Sequence, residues 1–222
     1  MTNDRHPRHF EEDLGQLKSR LLEMGGLAED RLRSAVRGLV DRDLAQLDKV
    51  LTGDGALNQL HIEVDDRCFK WLALQQPMAA DLRAIVSAVK INSDLERVGD
   101  LAVNIAEAAA RNLQHPKVKE LIDIPRMAVI AQEMLRDALD AYVRRDVALA
   151  QRVLARDDEL DLLKTLVFRE LLDYMLKDPT TIKAALDLIL VSRHLERTGD
   201  HATNIAEDVI FMVSALDVRH QA

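Results

Sequence analysis

The feature that most constrains this chain is a thirteen-residue motif that occurs twice. LERVGDLAVNIAE at positions 95–107 returns as LERTGDHATNIAE at positions 195–207, with ten of the thirteen residues identical. A weaker echo accompanies it, since Pro77 and Pro179 hold similar places before the two motifs. A match of this length at a fixed offset indicates tandem duplication. The fold must therefore accommodate two copies of one structural unit.

Apolar residues recur at spacings of three and four along most of the chain, which is the period of an amphipathic helix. Leu14, Leu17 and Leu21 show this spacing in the first segment. The five prolines and the pair Gly53 and Gly55 interrupt it. The pattern predicts an all-α chain with an irregularity at these glycines and a linker at 112–125. The six predicted helices span residues 10–41, 43–75, 77–113, 125–145, 146–177 and 179–216.

Three predicted helices fall in each copy, which indicates two tandem three-helix bundles related by internal duplication. We expect the first bundle to span residues 1–115 and the second to span 116–222. Aromatic residues make up only 3% of the chain, so aliphatic side chains and alanine must form most of the core. Cys68 is expected in this core as a small residue, and the aromatic residues Phe69, Trp71 and Phe168 are expected to be buried with it.

The net charge, the cysteine count and the N-terminal sequence limit which partners and which cellular compartment are expected. The formal net charge of −8 repels phosphate backbones and argues against nucleic-acid binding. Cys68 is the only cysteine, and the first ten residues lack the apolar stretch of a signal peptide, so a cytoplasmic location is expected. No apolar run approaches the roughly 18 residues of a spanning helix. Any membrane association is therefore expected to run through a partner.

Each copy of the motif places carboxylates and an amide on one face of its helix. At 100° per residue, four polar positions of the motif fall within an arc of about 80°, opposite the apolar face. They are Glu96, Asp100, Asn104 and Glu107 in the first copy, and Glu196, Asp200, Asn204 and Glu207 in the second. Gly99 and Gly199 lie inside these helices, where glycine is unfavourable, which indicates close packing of a neighbouring helix or ligand.

The second helix of each bundle is expected to complete these acidic faces. Asp54 and Asn58 lie about as far before the turn at Pro77 as the first motif lies after it, so antiparallel packing would bring them level. Asp157 and Asp161 hold the matching places in the second copy. Carboxylate and amide oxygens favour hard cations, and iron, manganese, magnesium, calcium and zinc are the candidates. The second copy is expected to bind better, because Asn58 replaces a carboxylate in the first.

Other interpretations of the same residues stay open. The acidic faces are also compatible with ordinary solvated surfaces that pair with Arg97 and Arg197. His201 is a weaker candidate for an imidazole ligand, since most surface histidines bind no metal. The clusters could instead activate water in a metal-dependent phosphohydrolase, or serve as a metal store or scaffold. The chain contains no Walker loop and no GxGxxG motif, which argues against a nucleotide enzyme.

The repeated L-E-R-x-G-D-x-A-x-N-I pattern resembles the PhoU family of phosphate-uptake regulators. The resemblance extends to Met24-Gly25-Gly26, to the Pro77-x-Ala79-x-Asp81-Leu82-Arg83 run and to Asp178-Pro179. It implies a cytoplasmic, non-enzymatic signalling adaptor that contacts the ATPase subunit of a phosphate ABC transporter and a sensor histidine kinase. Such an adaptor exerts negative regulation on phosphate transport and phosphate homeostasis genes when phosphate is plentiful.

The resemblance also implies that surface E/D-x3-D motifs hold metal clusters. These motifs correspond here to Glu96 with Asp100, Glu196 with Asp200, and Asp157 with Asp161. Some family members are dimers, so a homodimer is left open. Arg83, Arg97 and Arg197 lie beside the repeated motifs and are candidates for contacts with protein partners.

Overall fold

The computed structural model describes residues 5–53 and 55–218, with side chains from residue 12 onward. The helices are α1 (Arg5–Val40), α2 (Leu44–Thr52), α3 (Gly55–Gln75), α4 (Ala80–Asn112), α5 (Asp123–Arg144), α6 (Val147–Leu154), α7 (Asp157–Lys177) and α8 (Ile182–Ser214), with a 3-10 turn at Pro179–Thr181. Within these ranges there is no strand. The all-α prediction is confirmed.

Matching local signals begin the second helical segment of each bundle. Asp43 accepts a hydrogen bond from the Gln46 backbone N–H at 3.1 Å, and Asp146 accepts one from the Leu149 N–H at 3.0 Å. These carboxylates cap α2 and α6 by satisfying a backbone donor that has no partner within the helix. The duplicated sequence therefore builds the same helix start twice.

The helices form two bundles that share one core. The first bundle contains α1 to α4 and the second contains α5 to α8, with α2 and α3 together filling the place of one long helix, as α6 and α7 do. Helix α4 packs along α8, and α1 packs against α5. Leu95 and Leu195, at equivalent positions of the motif, are both fully buried in one continuous apolar cluster. The prediction of two tandem bundles is confirmed.

The number of helices differs from the prediction, because six were expected and the described residues contain eight. The predicted helix at 43–75 divides at Gly53, where an irregularity was expected. The predicted helix at 146–177 also divides, at Ala155 and Arg156, without a glycine or proline. The Arg156 guanidinium reaches Glu133 of α5 at 2.7 Å, so a contact with another helix accompanies this break.

Four helix starts differ from the prediction by more than one residue. Helix α1 begins at Arg5 instead of residue 10, and the other three differ near prolines. Helix α4 begins at Ala80 instead of Pro77, because Ala79 has φ 46 and interrupts the helical backbone. Helix α5 begins at Asp123, two residues before Pro125. Proline is tolerated there, because backbone N–H groups in the first turn have no acceptor within the helix. Pro179 begins a 3-10 turn before α8. The boundary between residues 115 and 116 stays a prediction, because the core does not divide there.

Polar contacts cross between the antiparallel helices α4 and α8. The Lys90 ammonium lies 2.8 Å from the Asp208 carboxylate, and Arg111 Nε donates to Asp187 at 3.0 Å. Both aspartates are almost completely buried. Because a buried carboxylate is stable only when it is paired, these two contacts fix how the bundles sit against each other.

The predicted core residues divide into buried and exposed groups. Cys68 is fully buried, and burial raises the pKa of its thiol to about 12, as expected of an unreactive core cysteine. Trp71 packs partly buried against the core. Phe69 and Phe168 are 58% and 48% exposed, so the prediction that they are buried is wrong. None of the described helices combines the length and apolar character needed to cross a bilayer.

Candidate functional site

The repeated glycines bring the second helical segment of each bundle close to the motif helix. A Cβ on Gly199 would lie 2.5 Å from Leu160 Cδ1 and 3.6 Å from Asp157 Oδ1, both on α7. A Cβ on Gly99 would lie 2.9 Å from Leu57 Cδ1 on α3. A side chain at either glycine would therefore hold the neighbouring helix away. The predicted close packing at both glycines is confirmed, with a helix as the neighbour.

In the second bundle, this packing brings the predicted acidic residues of α7 and α8 together. The Lys164 ammonium donates to Asp161 Oδ1 and to Glu196 Oε1, at 2.6 Å in each case. Asp157 and Asp200 lie close enough to interact electrostatically with each other. The charges of Asp161 and Glu196 also act on both of them. We call Asp157, Asp161, Glu196 and Asp200 the second carboxylate cluster.

Negative charge in the second carboxylate cluster exceeds what Lys164 compensates. Burial, together with the charges of Glu196 and Asp157, raises the pKa of Asp200 to about 6. Burial also raises the pKa of Asp157, with further contributions from Asp161 and Glu196. A site where carboxylates resist ionisation attracts a proton or another cation.

The raised pKa of Asp200 predicts a dependence of stability on pH. Between the ordinary aspartate pKa of about 4 and about 6, the folded state alone holds this proton, so stability is lost as pH rises through that window. Asp200→Asn removes the ionisation. After discounting for solvent screening, we expect it to raise the free energy of unfolding at pH 7 by about 1 kcal/mol.

Urea unfolding of both proteins from pH 4 to pH 7.5 measures this effect. The stability gained by Asp200→Asn should grow as the pH increases. Asp173→Asn is the matched control, because Asp173 is exposed on α7 outside the cluster. A gain that stays constant, or that shrinks with rising pH, would contradict the expected electrostatic penalty at Asp200.

The first bundle has a less acidic counterpart. Glu96 and Asp100 lie on α4 beside α3, and Arg97 lies 3.7 Å from Glu96 Oε2 and 3.6 Å from Asp100 Oδ2. Asn58 is exposed near the start of α3, and Asp54 lies outside the described residues. The described part of the first cluster therefore holds two carboxylates with an arginine between them.

The later residues of each motif lie nearer the other bundle. Asn204 donates to Asp94 of α4 at 3.3 Å, and His201 Nδ1 lies 2.8 Å from the same carboxylate. Glu207 lines a groove between α4 and α8. In the first copy, the charge of Glu107 acts on His194 of α8, and Asn104 is half-buried. A metal-binding role for these residues stays a prediction, with neighbours different from those expected.

The three candidate arginines have different surroundings. Arg83 Nε donates to the Met212 carbonyl at 3.4 Å, which engages its guanidinium between the bundles. Arg97 is largely exposed while it pairs with its own motif. Arg197 is exposed, and its charge lowers the pKa of the neighbouring His194, for which burial is the larger cause. Their role in partner contacts stays a prediction.

The donor set of the second carboxylate cluster fits a hard cation. Its four side chains offer only carboxylate oxygens, which suit magnesium, calcium, manganese or iron. Gly199 leaves room for Asp157 to approach α8. Within residues 12–53 and 55–218, however, no three His, Cys, Asp or Glu side chains form a ready-made metal shell. The ammonium of Lys164 stands between two of the oxygen donors instead.

Lys164 is the residue at this cluster that sequence reasoning missed. It lies one turn after Asp161, so it shares the acidic face of α7. Leu57 and Leu160 pack against equivalent glycines, and the alignment they define places His61 opposite Lys164. A comparison of the second helices of the two copies would have drawn attention to this position.

Comparison with known proteins agrees with this architecture. The model of the PhoU domain matches residues 21–109 and 124–209. Phosphate-specific transport system accessory protein PhoU homologs from Caulobacter vibrioides and Pseudomonas aeruginosa are 40% and 39% identical to this chain. Each alignment covers 96% of this chain, with 94% of the Caulobacter protein and 88% of the Pseudomonas protein.

Solved structures match over a similar length. The crystal structure of PhoU from Pseudomonas aeruginosa has a TM-score of 0.89 at 38% identity and covers 93% of this chain and 100% of its own. The phosphate transport system regulatory protein PhoU from Streptococcus pneumoniae has a TM-score of 0.86 at 27% identity, covering 94% and 99%. With both repeats matched by the domain model, the chain belongs to the PhoU family.

Proposed function

We propose that this chain is a cytoplasmic adaptor that regulates phosphate uptake. It contacts the ATPase subunit of a phosphate ABC transporter and a sensor histidine kinase, and it represses phosphate-starvation genes when phosphate is plentiful. The observation that carries the proposal is the match of both repeats to accessory proteins of phosphate-specific transport systems along nearly the whole chain. An accessory role also agrees with a fold that carries acidic clusters and exposed apolar side chains on its surface.

Exposed apolar side chains on α3 and α7 support a role in protein contacts. On α7, Leu162, Phe168 and Leu176 are 60%, 48% and 74% exposed. On α3, Ile62 and Phe69 are 61% and 58% exposed. Both helices therefore carry apolar residues on the solvent side as well as the core side. Clustered exposed apolar residues mark surfaces that bind other proteins.

The acidic clusters give these surfaces a polar border. The second carboxylate cluster lies at the start of α7, and Phe168 follows two helical turns later. An apolar centre with a charged border is the usual composition of a protein interface, and the negative charge selects a basic partner surface. Regulation then requires that the adaptor bind one state of its partner better than another, because equal affinity shifts no equilibrium.

Complementation of a deletion strain tests the proposal. Without the gene, we expect phosphate-starvation genes to be expressed constitutively in high phosphate, and the unaltered gene should restore repression. Phe168→Glu should fail to restore it, because a charge in the centre of an apolar interface costs binding energy.

Val129→Glu is the matched control for this experiment. Val129 is 54% exposed on α5, which is not one of the two helices that carry the proposed apolar surface. Reporter expression and the amount of each protein in the cell are measured together. Unchanged repression in the deletion strain would overturn the adaptor function. Full repression by Phe168→Glu would leave the function standing and remove α7 from the interface.

A further inference from the structure

The amino group of Lys164 is placed as a cation between two helices. It lies three residues after Asp161 on α7 and reaches across to Glu196 on α8, with both contacts at 2.6 Å. We propose that Lys164 is a built-in cation that competes with a hard divalent metal ion for Asp161 and Glu196. It thereby sets the affinity of the second carboxylate cluster.

The chemistry of lysine suits this role. An ammonium group is a compact charge on a flexible four-carbon stem, so it can occupy a cation position and also withdraw from it. The Lys164 side chain is 32% exposed, which leaves it a path towards solvent, whereas Glu196 is only 16% exposed. A metal ion that enters the cluster takes over both oxygen donors as the ammonium moves out.

The charge of the cluster leaves room for this exchange. Four carboxylates share the cluster with one ammonium, whose hydrogen bonds go to Asp161 and Glu196. The charges of Asp157 and Asp200 act within the same cluster. The acidic residues thus keep an attraction for a second positive charge even with Lys164 in place. A divalent ion neutralises more of that charge than a monovalent ammonium, and it also binds several oxygens at once.

The first bundle lacks this arrangement, although its backbone is equivalent. The position that matches Lys164 holds His61, whose Nε2 lies 3.6 Å from Asp65 on the same helix. The position that matches Asp161 holds Asn58. The two copies therefore differ in both the acid and the cation. By this proposal, Lys164 offsets part of the advantage that the additional carboxylate gives the second copy.

Metal binding by the full chain tests the proposal. Lys164→Met keeps the length of the side chain and removes the charge. We expect it to bind Mn²⁺ about tenfold more tightly than the unaltered chain, because a positive charge a few ångströms from the metal is gone. Isothermal calorimetry with Mn²⁺ measures the affinity at pH 7. Lys70→Met is the matched control, since Lys70 pairs with Asp66 on the exposed side of α3.

Two further variants show whether the gain in affinity arises at this cluster and keep the test valid if Lys164→Met does not fold. Lys164→Gln keeps a hydrogen-bond donor, so it serves if the methionine variant does not fold, and the same gain in affinity is expected. Glu196→Gln combined with Lys164→Met should lose the gain, because a shared oxygen donor is removed. Equal affinity in the Lys164 variants and the unaltered chain, weaker binding in the variants, or no Mn²⁺ binding in any of them would overturn the proposal.

Discussion

Lys90→Met is expected to lower the free energy of unfolding by about 2–3 kcal/mol. The Lys90 ammonium lies 2.8 Å from Asp208 Oδ1, and the Asp208 side chain is only 8% exposed. Methionine preserves most of the side-chain volume but leaves a buried carboxylate without this cation. The loss should appear at the junction of α4 and α8, because the two residues belong to different bundles.

Urea unfolding at pH 7 measures this loss. Lys117→Met is the control, because Lys117 forms an ion pair of the same 2.8 Å length with Glu120 at an exposed position. Exposed pairs contribute little, so the control should change stability by less than about 0.5 kcal/mol. Equal effects of the two substitutions would show that burial of Asp208 does not govern the contact.

Adjacent glycines in α1 should respond to alanine with opposite signs. A Cβ on Gly25 would overlap Leu139 Cδ1, which belongs to a buried side chain on α5. A Cβ on Gly26 would meet nothing within 4 Å. We expect Gly25→Ala to destabilise the protein by about 1–3 kcal/mol through overpacking between the bundles. Gly26→Ala should stabilise it by about 0.5–1 kcal/mol, because alanine favours the helix.

Each glycine variant is the control for the other, because both replace glycine by alanine at adjacent positions of the same helix. In thermal and urea unfolding, Gly25→Ala should be less stable than the unaltered chain and Gly26→Ala should be more stable. If both variants are stabilised, Leu139 rotates away at little cost and the contact between α1 and α5 is looser than its geometry indicates. If both are destabilised, the helix tolerates no side chain at either position.

The sequence was sufficient to predict the duplication and the close approach at the motif glycines. Gly99 and Gly199 are unfavourable in helices, so their repetition already indicated that something packs against them. The break at Ala155 and Arg156 was not predicted, because no local residue interrupts the helix. Its equivalent at Gly53 carried the signal, and alignment of the second helices of the copies would have transferred it.

Burial on α3 and α7 was harder to predict. These helices carry apolar residues on most sides, so the spacing of Phe69 and Phe168 does not identify which side faces the core. The Lys164 contact was hidden for a different reason. It depends on the register between α7 and α8, and an axial shift of one turn would separate the ammonium from Glu196.

The antiparallel packing of α4 against α8 has a consequence for the ancestry of the chain. These helices are the copies of one another, so the protein joins within itself two equivalent faces, as a symmetric dimer joins two subunits. A single repeat would expose the apolar side of its motif helix. Pairing with an identical molecule is the simplest way to cover it. Gene fusion would then have freed each half to diverge. One copy now has Lys164 at the position where the other has His61.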